Sequence, residues 1–104
     1  MAKSLASIDI GTNTFRLLIS DLNGTGTLRQ SVLKREITRL GGGFTVTGGL
    51  TEDSMARGIA TLSAFSKLLK DHKVDEVRAV ATSVVREAQN GREFVRRVKE
   101  KTGL

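Results

Sequence analysis

The sequence predicts an α/β fold: a mixed sheet, made of an antiparallel meander plus one parallel strand, with helices packed on it. Three observations carry that reading. Thr14 to Leu22 is a nearly unbroken apolar run with turn-forming residues on both sides, as a strand buried on both faces requires. Met55, Ile59, Leu62, Phe65 and Leu69 recur at three- and four-residue steps, the spacing of one helical face. Val74 to Ala81 then returns to compact, β-prone residues, and a crossover through the helix sets such a strand parallel to an earlier one.

The elements follow in order. Leu5 to Ile10 alternates and reads as the first strand. Gly11-Thr12-Asn13-Thr14 is turn chemistry leading into the second, and Asn23-Gly24 behind it signals a hairpin. Leu28 to Leu40 places its apolar residues at spacings that suit helix as well as strand; the hairpin signal favours a returning strand. Gly41-Gly42-Gly43 and Gly48-Gly49 mark a loop, expected to be mobile. Thr51 is placed to cap the long helix of about four to five turns, with Glu52 and Asp53 against its positive end. Thr82 or Ser83 caps a short helical turn through Ala88. Asn90 to Glu93 has the spacing of a capping box, with Asn90 as the cap. Phe94, Val95 and Val98 form the buried stripe of the last helix, which Thr102-Gly103 ends.

Composition bounds the function. A length of 104 residues suffices for one small domain. The absence of Cys excludes disulfides and thiolate chemistry, and a single His excludes a site of several imidazoles. Lys and Arg total 17 against 11 Asp and Glu, a net +6 that favours an anionic partner. Charge alone does not choose among phosphate, nucleic acid and acidic membrane. With aromatics at 4%, the core must be aliphatic and thin. The first nine residues lack the apolar segment of a signal peptide, and no run approaches the ~20 residues of a membrane span. A soluble, cytoplasmic protein without membrane contact is expected.

Two stretches carry chemistry. In Asp9-Ile10-Gly11-Thr12-Asn13-Thr14, a glycine lets an anion approach the backbone, and successive N–H groups form an anion nest. Thr12, Asn13 and Thr14 add donors, and Asp9 suits Mg²⁺ directly or through water. The same residues equally suit a plain hairpin that satisfies its own turn. Ala81 to Ala88 ends a strand and opens a helix, where free N–H groups attract phosphate and Arg86 can clamp it. Alternatively Thr82 and Ser83 only cap, and Arg86 pairs with Glu87 or Asn90. Arg35 and Arg39 can share a strand face, as solvated edge charges or an anion path. The cations of the last helix suit a solvated face, and His72 a surface position.

These stretches together resemble the exopolyphosphatase / guanosine pentaphosphate phosphatase (Ppx/GppA) family. The matching pieces are Ile8-Asp9-Ile10-Gly11-Thr12-Asn13-Thr14-Phe15-Arg16-Leu17-Leu18-Ile19, Arg35 to Gly41, Gly49-Leu50-Thr51 with its helix, and Val80 to Gly91. The first is shared with sugar kinases, actin and chaperone ATPases; together with the last it is specific. Position 14 is commonly Ser in the family, and Thr14 keeps the hydroxyl. The resemblance implies a ribonuclease-H-like fold and removal of terminal phosphate from inorganic polyphosphate or pppGpp with Mg²⁺. It makes Gly11, Thr12, Asn13 and Thr14 the first phosphate loop, Arg86 a phosphate contact and Asp9 a metal-associated carboxylate.

The same resemblance sets the general-base glutamate, a second phosphate loop, a fifth strand with its helix and a second domain beyond Leu104. Residues 1–104 are thus expected to be an incomplete N-terminal domain with no catalytic base of its own, inactive alone. The Val74–Ala81 strand would expose an edge, through which self-association or partner binding is expected. The alternatives are a non-catalytic anion-binding or interaction module, and a nucleic-acid binder using the basic last helix. The scarcity of aromatic stacking platforms argues against nucleic acid.

Overall fold

The structure, a computed structural model, describes residues 3–45, 48–81 and 83–104. Three antiparallel strands come first: β1 (Lys3–Ile10), β2 (Thr14–Leu22) and β3 (Leu28–Ile37). The long helix α1 (Glu52–Asp71) crosses over to β4 (Glu76–Ala81). Two helices follow, α2 (Ser83–Glu87) and α3 (Gly91–Thr102). The sheet order is β3-β2-β1-β4, with β4 parallel to β1 and the other pairs antiparallel. This is the expected mixed sheet.

Alternation sorts the strands onto two faces. Ala6, Ile8 and Ile10 of β1 and Phe15, Leu17 and Ile19 of β2 are buried beneath the helices, against Met55, Leu62 and Phe65 of α1 and Phe94 of α3. The opposite face is open: Asp9 and Arg16 are exposed and Leu18 is half-buried there. β2 is therefore buried on one face only. Its apolar run suggested two, but no helix among the described residues covers the second. Gly58 lets the layers approach, since a Cβ there would stand 3.2 Å from the Phe94 ring and 3.3 Å from the Phe15 ring.

Several ends differ from expectation for identifiable reasons. The β2–β3 hairpin forms, but over Asn23 to Thr27, where Asn23 Oδ1 accepts from the N–H groups of Thr25 and Thr27 and Gly26 takes φ +83°. Thr51 caps α1 as expected, accepting from Ser54 N–H at 3.1 Å, and the helix runs 20 residues. At α3, Asn90 stands at the cap position without a capping bond. Its carboxamide instead binds the main chain of Leu50, and Glu93 turns to Arg96 and Arg97. Phe94 and Val98 are buried but Val95 is 44% exposed, on an open groove that it lines with Ala79, Val80 and Ala81 of β4. Gly103 closes α3 in the left-handed conformation. Thr82, one of the two caps expected for α2, lies outside the described residues. No helix among the described residues is long and apolar enough to cross a membrane.

Candidate phosphate-binding site

The turn after β1 is built from the backbone outward. Gly11 N–H donates to the Thr14 carbonyl at 3.1 Å, and a Cβ on Gly11 would stand 2.5 Å from that oxygen. Only glycine closes this turn without displacing Thr14. The Asn13 carbonyl accepts from the N–H groups of Thr38 and Arg39, and the Thr12 carbonyl from Gly41 N–H. Planar trans peptides point each N–H opposite its C=O. The N–H groups of Asn13 and Thr14 therefore face away from the 38–41 loop. Gly11's own N–H is consumed inside the turn, so the nest rests on its neighbours.

The loop behind this turn is fastened to α1 by side chains that sequence reasoning missed. Arg57 donates from Nε to the Thr38 carbonyl at 2.9 Å and from Nη2 to the Arg39 carbonyl at 3.2 Å. Buried Ser54 donates to the Gly42 carbonyl at 2.9 Å and accepts from Thr51 and Arg57. The Gly41–Gly43 segment, expected to be mobile, is thus tied at Gly41 to Thr12 and at Gly42 to Ser54. Nothing in the spacing of Ser54 and Arg57 marks them, because their partners are carbonyls distant in sequence. Arg39 lies past the end of β3 at φ +50°, so it does not share a strand face with Arg35.

β1 and β4 run parallel with Ile10 opposite Ala81. The Gly11–Thr14 turn and α2 therefore leave the same end of the sheet. Arg86, on α2, is exposed and makes no ion pair or hydrogen bond among the described residues, so it pairs with neither Glu87 nor Asn90. It lines an open cavity of about 440 Å³ with Gln89 and Arg92. Asp9 points to the open face, opposite Arg16 across β1–β2, and lines a different cavity with Ser7, Arg16 and Gln30. The chain thus brings turn and α2 to one end of the sheet, but sets Asp9 and Arg86 on different cavities. The described residues hold no group of three or more metal-ligating side chains around Asp9 or elsewhere. One exposed carboxylate fits an ion whose remaining ligands are water and substrate phosphate.

Two of the five cations of the last helix, Arg96 and Arg97, are held in ion pairs. Arg97 bridges Glu93 at 3.0 Å and Glu52 of α1 at 2.8 Å, and Arg96 pairs with Glu93 and Glu100. These arginines hold the Glu93 and Glu52 carboxyls below their ordinary value. His72 ends α1 on the surface, its Nδ1 2.9 Å from the Leu68 carbonyl oxygen.

Comparison with known proteins decides the family. Residues 18–104 match the Ppx/GppA phosphatase family. The chain belongs to that family. The Ppx/GppA relatives include exopolyphosphatase 2 of Mycobacterium tuberculosis, 38% identical over 89 residues, which are 83% of this chain and 28% of the relative. A Ppx/GppA family member from Aquifex aeolicus superposes with TM-score 0.95 at 39% identity, over 100% of this chain and 34% of that one. An exopolyphosphatase from Cytophaga hutchinsonii does so with TM-score 0.92 at 34% identity, over 98% of this chain and 32% of that one. The fold is the actin-like, ribonuclease-H-like one of these Ppx/GppA structures. The chain spans about a third of their length.

Proposed function

We propose that residues 1–104 are an incomplete first domain of a cytoplasmic phosphoanhydride hydrolase that removes terminal phosphate from inorganic polyphosphate or pppGpp. The observation that carries this is the turn at Gly11–Thr14: its carbonyls are bound behind it, and its N–H groups at Asn13 and Thr14 are turned outward. Thr12, Asn13 and Thr14 offer further donors to phosphate oxygens. Arg86, exposed at the same end of the sheet and without an ion pair among the described residues, supplies a planar cation suited to two oxygens at once. Asp9 would hold Mg²⁺ with substrate phosphate, and the ion would neutralise charge on the phosphate chain. The attacking water would be activated by a glutamate outside these residues. Ion pairing of Arg96 and Arg97 with carboxylates takes two of the last helix's five cations away from a nucleic-acid surface.

The test measures binding and turnover together, with polyphosphate and pppGpp in the presence of Mg²⁺. The chain is expected to bind weakly and release no phosphate, with binding reduced about tenfold or more by Arg86→Ala. Equal binding by Arg86→Ala, Gly11→Ala and the parent chain would overturn the site. Phosphate release abolished by Asp9→Ala would overturn inactivity alone and place a base within the chain.

A further inference from the structure

We propose that Arg57 of α1 is a positioning residue for anion binding, acting on the Gly11–Thr14 turn through a relay of two main-chain peptides, a role that rests on the phosphate reading of that turn. Arg57 Nε donates to the Thr38 carbonyl at 2.9 Å. That carbonyl shares one planar peptide with the Arg39 N–H. Arg39 N–H, alongside Thr38 N–H, donates in turn to the Asn13 carbonyl, at 3.0 Å. The Asn13 carbonyl shares its peptide with the Thr14 N–H, which faces away from the 38–41 loop. The guanidinium, peptide 38–39, peptide 13–14 and the outer side of the turn lie in one hydrogen-bonded series.

Every donor in the series points the same way. Each bond polarises the next, so a cation at the back makes the last N–H a stronger donor. The two peptide dipoles turn their positive ends toward the outer side of the turn, which favours an anion there. Such dipoles are held in place before the ligand arrives and need not reorganise. Arg57 keeps its charge for this role. Its Nη2 donates to the Arg39 carbonyl at 3.2 Å and to Ser54 Oγ at 3.0 Å. These partners are all neutral, and Arg57 makes no ion pair among the described residues.

The backbone is bent to meet the same guanidinium. In an extended chain successive carbonyls point to opposite sides. Those of Thr38 and Arg39 both reach Arg57, and Arg39 takes φ +50°, a strained conformation for a residue with a side chain. Gly58, the next residue of α1, fixes the helix from the other side. A Cβ there would stand 3.3 Å from the ring of Phe15, which follows Thr14 in β2. Arg57 is therefore carried by a helix set against the turn both by packing and by the relay.

Polyphosphate with Mg²⁺, titrated into the 104-residue chain and followed by calorimetry and nitrogen–proton NMR, tests it. Arg57→Met removes donors and charge and should weaken binding about threefold or more, with helical circular dichroism unchanged. Arg57→Lys keeps the charge without the fork that spans both carbonyls, and should bind between the two. The unaltered chain gives a reading free of mutation, which decides the matter if Arg57→Met fails to fold. As polyphosphate saturates the turn, the Arg57 Nε–H and Arg39 N–H signals should move downfield with Thr14 N–H, although neither touches the ligand. The amide of Thr25, in the β2–β3 connection, should stay. A merely structural brace would leave Arg57 Nε–H unmoved. Movement of Thr14 without Arg57 and Arg39 overturns the relay, as does full binding by Arg57→Met or by Arg57→Lys. An unaltered chain that binds no polyphosphate overturns the phosphate reading itself, and the role of Arg57 falls with it.

Discussion

The Asn90 carboxamide accepts from Leu50 N–H at 2.8 Å and donates to the Leu50 carbonyl at 2.9 Å. Leu50 is buried, so without that carboxamide both main-chain groups would lose the partner that replaces water among the described residues. Gly49 is drawn into the same contact, for a Cβ there would stand 2.5 Å from Asn90 Oδ1, at φ +73°. Asn90→Ala is expected to cost about 1–3 kcal/mol in urea unfolding, the penalty of unsatisfied buried polar groups rather than of a lost helix cap. The distinction is measurable: Asn90→Ser, a good cap that cannot reach Leu50 from both sides, should not restore stability. The spacing of Asn90 and Glu93 matched a cap, because local sequence contains Glu93 but not the loop forty residues earlier that claims the side chain.

At the scale of elements, α1 and α3 are joined by Phe94 within the core and by the Arg97–Glu52 bridge at its rim. Glu52 and Glu93 are held below their ordinary value of 4.5 by hydrogen bonds and charge from Arg97 and Arg96. A depressed carboxyl pKa means that the unfolded chain binds more protons, so stability rises with pH through this window. The contribution is complete above the ordinary glutamate range and is lost as pH falls through the lowered folded values. Glu52→Gln should flatten that acid limb of a urea-midpoint profile and leave the neutral region nearly unchanged. Exposed pairs of this kind are weak and salt-screened, so high salt should flatten it too.

The whole molecule is elongated, with a radius of gyration of 14.7 Å, where a compact domain of this length has about 13 Å. One sheet face is open and the β2–β3 hairpin reaches past the helices, so β3 is exposed along almost its whole length. The core therefore depends on a few side chains. Three of the four Phe residues, Phe15, Phe65 and Phe94, are essentially inaccessible. Phe65→Ala is expected to cost about 3–5 kcal/mol, a large share of the ~5–15 kcal/mol that holds a small domain together. A substantially lower thermal midpoint, or loss of the helical circular dichroism signal at room temperature, should follow. A loss below about 1 kcal/mol would mean that the layer beneath α1 repacks freely.

The sequence by itself determined the order and kind of the elements, the antiparallel meander, the parallel return through α1 and the cap at Thr51. Each follows from neighbours within a few residues: apolar period, turn residues, a hydroxyl one position before a helix. The motif around Gly11 and the segment ending at Gly91 also pointed to the family before any coordinates. Tertiary structure alone decided that β2 is buried on one face, that Asn90 braces Leu50, and that Ser54 and Arg57 hold the loop behind the Gly11–Thr14 turn. It alone separated Asp9 from Arg86. Those outcomes depend on which surfaces meet across long stretches of chain, and on carbonyl groups that every residue carries alike. Side-chain patterning encodes the first only indirectly and the second not at all.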